Sequence, residues 1–210
     1  MNFLAHFHLA GSDPGFILGA LLGDFVKGPV HSRSFSGQIS LDKLPATTVS
    51  GIVLHRKIDA HFDTHPQIKQ LAALLPNRSR RYNGIVLDLF FDYALSCNWQ
   101  RYNKESLEVF NAAVLNTLAA HKDYFSADAQ AFCSRLIEHN LLENYHRQQV
   151  LNNIASRLGQ RLGKGELIAQ ALQSLWRQES QCIDSFLTIY PAIQANIKQQ
   201  REELLQRPAP

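Results

Sequence analysis

The segment Ile85-Val-Leu-Asp-Leu-Phe-Phe-Asp-Tyr-Ala-Leu95 is apolar on nearly every side of a helical wheel, yet carries two aspartates four residues apart. All-round apolarity marks a central, buried helix. A carboxylate taken into such a place costs several kcal/mol, roughly, unless it is paired or bound to a metal, and two on adjacent turns also repel. Any fold for this chain must therefore answer Asp88 and Asp92. Three answers are open: a cation, neutralisation by Arg56 or Arg81, or hydrogen bonds to backbone at a helix end.

The segment Gly51-Ile-Val-Leu-His-Arg-Lys-Ile-Asp-Ala-His-Phe-Asp63 repeats the theme. At about 100° per residue, Leu54, Ile58 and Phe62 form one apolar flank and Ile52 closes the other. His55 and Asp59 fall between them, about 6 Å apart on one face. A buried His–Asp hydrogen bond and a ligand pair both fit. Asp24 closes Gly19-Ala-Leu-Leu-Gly-Asp-Phe-Val-Lys-Gly28, where it opposes the helix dipole unless a cation lies beside it. His6 and His8 stand on a short apolar stretch at the start of the chain, and either a core or a ligand role suits them. Together Asp24, His55, Asp59, Asp88 and Asp92 make a nitrogen–oxygen donor set without thiolate, suited to Mn²⁺, Mg²⁺ or Fe²⁺ rather than structural zinc.

Between Gly/Pro punctuation lie helical periodicities near 2–9, 15–26, 46–64, 67–75, 80–102, 105–120, 127–138, 141–161, 165–189 and 191–206, and no alternating strand. The expected fold is all-α, one irregular helical domain over 1–197, with a polar tail over 198–210 projecting into solvent. The chain length of 210 residues suits one core. No apolar run approaches the roughly 18 residues of a membrane span. Three scattered cysteines, Cys97, Cys133 and Cys182, argue against a disulfide framework and for the reducing cytoplasm.

The net charge is +3, with 21 basic and 18 acidic side chains. The excess sits in residues 51–103, where Arg78, Arg80 and Arg81 form a knot. That is too little for a nucleic-acid surface but enough for a small acidic partner.

Met1-Asn-Phe-Leu-Ala-His-Phe-His-Leu-Ala10, Leu21-Leu-Gly-Asp-Phe-Val-Lys-Gly28, Leu54-His-Arg-Lys-Ile-Asp59 and Leu87-Asp-Leu-Phe-Phe-Asp92 resemble the acyl carrier protein phosphodiesterases. The resemblance implies an all-helical fold distantly similar to HD-type metal phosphohydrolases, although their adjacent His-Asp doublet is not found here. It implies hydrolysis of the phosphodiester joining 4′-phosphopantetheine to a serine of holo acyl carrier protein, with Mn²⁺. On that reading Asp24, His55, Asp59 and Asp88 are ligands, and Asp92 is a ligand or a water-orienting base. Lys27, Arg56 and Arg81 face the phosphate or its neighbouring charge, Arg78 and Arg80 face the carrier protein, and His6 protonates the departing serine oxygen. Two other functions suit the same residues: a metal phosphohydrolase acting on a small nucleotide or phosphate ester, and a non-catalytic module binding an acidic partner.

Overall fold

In a computed structural model, residues 3–28, 30, 39 and 41–206 are described. Among them are ten α-helices and no strand: α1 (Phe3–Ala10), α2 (Pro14–Leu22), α3 (Thr48–Thr64), α4 (Pro66–Ala73), α5 (Asn83–Cys97), α6 (Leu107–His121), α7 (Ala127–Glu138), α8 (Gln148–Arg161), α9 (Gly165–Trp176) and α10 (Glu179–Gln206). The expected all-α class is what the chain adopts. Among the described residues, no helix is long and apolar enough to cross a membrane.

The closest helix pair is α2 against α3. Gly15, Gly19 and Gly23 recur every four residues on α2 and its C-terminal cap, and Thr47, Gly51 and His55 recur likewise on the N-terminal cap of α3 and along it. A Cβ at Gly19 would lie 2.2 Å from the carbonyl carbon of Gly51, so the two backbones touch. Asp13 ties the same pair at its start. Its carboxylate caps α2 by accepting from Phe16 N–H at 3.1 Å and takes the Thr47 hydroxyl at 2.7 Å.

Short α1 is buried along its length and packs on α2, α3, α5 and α10. Helix α5 is the second central element, with Leu89 through Ser96 all buried. The α8–α9 hairpin covers one side of α5, and α10 passes over α1, α3 and α4. Phe62, Phe91, Phe186 and Tyr190 form a chain of rings with centroids 4.8–5.3 Å apart that welds α3, α5 and α10 together. Buried apolar side chains from Leu4 to Ile197 make one cluster.

Several boundaries differ from the periodicity. Helix α2 stops at Leu22, where Phe25 and Val26 N–H groups both turn back to the Leu22 carbonyl. The expected helix over 80–102 is α5 with 3₁₀ turns before (Asn77–Tyr82) and after (Trp99–Arg101), and that over 141–161 opens on a 3₁₀ turn at Glu143–His146. Pro191 does not divide the last two helices: it lies exposed inside α10, and the break falls at Arg177-Gln178. The chain turns there because α9 faces α8 and α5 whereas α10 faces α3, α4 and α1. The missing N–H of one exposed proline is the lesser cost in a helix held by Phe186, Ile189, Tyr190 and Ile193.

The polar tail also departs from its expected course. Residues 198–206 are the last turns of α10, and Arg201 donates from Nη1 to the Leu9 carbonyl at 3.0 Å. Its guanidinium fills the space a Cβ at Gly11 would need, and Gly11 has φ +77°. A cation at the C-terminal end of α1 satisfies a carbonyl the helix leaves open. Residues 207–210 lie outside the described residues.

Candidate metal centre

Helices α1 and α3 bring two imidazoles face to face. The rings of His6 and His55 stack with centroids 4.0 Å apart and planes 16° apart. Each Nε2 meets a different oxygen of one carboxylate: His6 Nε2 is 3.0 Å from Asp59 Oδ1, and His55 Nε2 is 3.2 Å from Asp59 Oδ2. Asp24, in the turn after α2, presents Oδ1 3.7 Å from the same His55 nitrogen. The histidines are buried at 2% and 3% exposure, while Asp59 and Asp24 remain 41% and 53% exposed. The site is thus open on its carboxylate side.

Local sequence explains the convergence. His55 and Asp59 share a face of α3 by their four-residue spacing. Gly23 lets the His55 ring in, since a Cβ there would stand 2.2 Å from the ring Cγ. His55 Nδ1 donates to the Ala20 carbonyl at 2.9 Å, which fixes the tautomer and leaves Nε2 for the site.

The two rings hold opposite charge states. Burial, and then the neighbouring His55 cation, lower His6 to about 4, so it is neutral and gives its Nε2–H to Asp59. Burial also opposes a charge on His55, but hydrogen bonding to Asp24 and Asp59 outweighs it and raises the ring to about 9. Burial would raise the two acids; the histidine contacts prevail and hold Asp24 and Asp59 below the usual carboxylate range. The cation that Asp24 needs beyond the end of α2 is therefore the His55 imidazolium.

Among the described residues, His6, His55 and Asp59 each offer one ligand atom, and these atoms all lie within 4.8 Å of one another. Small shifts bring such a set to the roughly 2.0–2.2 Å bonds that first-row divalent metals make to imidazole nitrogen and carboxylate oxygen. His55 already has the second hydrogen bond from its other nitrogen that metal-bound histidines carry. The residues fit a divalent metal, with Asp24 as a further oxygen at the open rim.

Asp88 and Asp92 fall outside that group of three. Asp88 is part-buried on α5; burial raises its carboxyl, and the charges of Asp59 and Asp63 add to the shift. Asp92, placed by sequence in the ligand set, is fully buried and turned to backbone. Oδ2 accepts from Leu4 N–H and Oδ1 from Ala5 N–H, both at 2.9 Å. Burial outweighs those two amides and raises its carboxyl to about 7. His8 lies apart, bonded through Nδ1 to Tyr190 Oη at 2.7 Å and through Nε2 to the Tyr102 carbonyl at 3.3 Å.

The basic residues divide by position. Arg56 clamps the turn after Asp24, donating to the carbonyls of Val26 and Gly28 at 2.8 Å each. Exposed Lys27 donates to the Asp24 carbonyl at 2.8 Å. Both therefore hold the turn that carries Asp24. Arg78, Arg80 and Arg81 are exposed on the 3₁₀ turn leading into α5. The Ala20 carbonyl that orients His55 leaves no signal in the sequence.

The comparisons agree with the first motifs. The chain is 29% identical to an acyl carrier protein phosphodiesterase of Yersinia pestis over 95% of this chain and 100% of that one. It is 30% identical to one of Photorhabdus laumondii over 91% of this chain and 92% of that one. A Pectobacterium atrosepticum protein of the same name is 37% identical over 47% of this chain and 46% of its own. No solved structure matches. The acyl carrier protein phosphodiesterase family model matches residues 1–193, and the chain belongs to that family.

Proposed function

We propose that the chain is a metal-dependent phosphodiesterase that releases 4′-phosphopantetheine from the serine of holo acyl carrier protein, leaving the apo-protein. The observation that carries this reading is the pair of stacked histidines converging on Asp59 in a chain of this family. His6, His55 and Asp59 hold the metal, with Asp24 at its exposed side. The donor set is nitrogen and oxygen only, which favours Mn²⁺, with Mg²⁺ or Fe²⁺ as substitutes. A divalent cation at this place polarises a phosphoryl oxygen and lowers a bound water's pKa towards about 7.

The protein's own groups do the rest. Lys27 and Arg56, which hold the turn that carries Asp24, are the cations assigned to the diester's charge. In the reaction the bond between phosphorus and the serine oxygen breaks, water's oxygen joins phosphorus, and the serine regains a proton. Burial raises the Asp88 carboxyl above its ordinary value, the direction that suits an acid–base role. His6 is placed in the ligand set, which leaves it no free Nε2 for protonating the serine. The three free cysteines support a reducing compartment, the cytoplasm, as the place of work.

Intact-mass spectrometry of holo carrier protein incubated with the enzyme tests the reading. Loss of the prosthetic group with Mn²⁺, and none with chelator, is the expected result. A carrier protein of unchanged mass, with turnover of nucleotides or small phosphate esters instead, would overturn it.

A further inference from the structure

Helix α1 has eight residues and begins inside the core. The first N–H groups of any helix lack intrahelical partners, and Leu4 and Ala5 are 0% exposed, so water cannot serve them. Left unpaired, each would carry the full desolvation penalty of a buried donor. Both are answered by one side chain from α5: Asp92 gives one oxygen to Leu4 N–H and the other to Ala5 N–H. A helix this short has no stable register of its own, so its position is set by packing and by this bidentate cap. The next residue after Ala5 is His6. We infer that Asp92 is a positioning residue for the metal centre: it fixes the start of α1 and thereby the seat of His6 against Asp59 and His55.

The alternative role for Asp92, a direct ligand, sits poorly with this geometry. Its two oxygens point to two backbone amides, and it stands outside the group whose ligand atoms converge. The inference rests on His6 being a ligand, as proposed above. Its consequence is that the family motif Leu87-Asp-Leu-Phe-Phe-Asp92 carries two different jobs one helical turn apart.

A double-mutant cycle on Mn²⁺ affinity, read by calorimetry, separates the two roles. In Asp92→Asn the amide NH₂ faces one of the backbone N–H groups, so only one of the two bonds survives. The single change should weaken Mn²⁺ binding by about 10–100-fold, the range for residues that support a ligand. In a His6→Ala background the same change should cost less than about twofold. A full additional loss there would show that Asp92 acts on the metal without His6, and would overturn the inference.

A second measurement needs no metal. In chelator-treated protein, the nuclear Overhauser contact between the His6 and His55 rings should be present in wild type and lost or strongly weakened in Asp92→Asn. Persistence of that contact at wild-type strength would also overturn the inference. Absence of Mn²⁺ binding in the wild type would instead sink the metal-centre reading, and the ring contact would still decide whether Asp92 positions His6. Asp92→Asn keeps the size of the side chain, so a folded variant is available even if Asp92→Ala is not.

Discussion

His6 and His55 stack at 4.0 Å between ring centroids, yet one is neutral to about 4 and the other holds its proton to about 9. Asp59 reconciles them by accepting from both Nε2 atoms, and the second negative charge, Asp24, stands on the His55 side. The centre is thus a histidine cation held among carboxylates, and on the proposed reading a metal binding there displaces one proton.

That exchange fixes two pH dependences of opposite sign. The folded His55 ring titrates at about 9 against an ordinary 6.5. Its contribution to metal-free stability is therefore complete below pH 6.5 and is lost as pH rises through about 9. Metal binding requires the neutral ring, so Mn²⁺ affinity should rise about tenfold per pH unit from 6.5 to 9, one proton leaving per metal. Thermal unfolding in chelator and calorimetric titration across that range check both; a pH-independent affinity would remove His55 from the ligand set.

The α2–α3 contact separates fold from site in a pair of substitutions. Gly23→Ala drives a methyl into the His55 ring, a side chain that can swing aside. It should cost about 1–3 kcal/mol of stability and weaken Mn²⁺ binding by about 10–100-fold. Gly19→Ala meets backbone instead, at the Gly51 carbonyl carbon. Separating α2 from α3 should cost more than about 3 kcal/mol, and chemical denaturation would show it directly.

How legible these features are in sequence depends on the range of the interaction. The four-residue step that puts His55 beside Asp59 is local, and periodicity exposes it, as it exposes the glycines of α2. The partner of Asp92 is a pair of backbone amides at the opposite end of the motif-bearing segment, and backbone amides leave no mark on a sequence. The buried pair itself was a legible problem; only the fold shows that hydrogen bonding to a helix end solves it for Asp92. Pro191 misleads for a different reason: its local cost is real, and the packing of its neighbours in the ring chain outweighs it.

Arg201 offers a test of the opposite end of α1. Its bond to the Leu9 carbonyl is charge-assisted and part-buried. Arg201→Ala should therefore lower stability by about 1.5–3 kcal/mol, and truncation after residue 197 should do at least as much. Differential scanning calorimetry reads both; an unchanged melting temperature would mean the end of α10 contributes nothing to holding α1.

The last prediction concerns the carrier protein. Arg78, Arg80 and Arg81 are exposed on the turn that leads into α5, and Asp88 follows within about two helical turns. Carrier proteins of this kind are small and acidic, so an exposed basic knot that docks one should act on encounter, and salt should weaken its effect. Replacing Arg78 and Arg80 with glutamate should raise KM for holo carrier protein several-fold at low salt, with kcat nearly unchanged, and the difference should shrink in high salt. Hydrolysis of a small phosphodiester, which makes no protein–protein contact, should stay close to wild type. Equal losses on both substrates would place the arginines in the chemistry or the fold instead of at the docking surface.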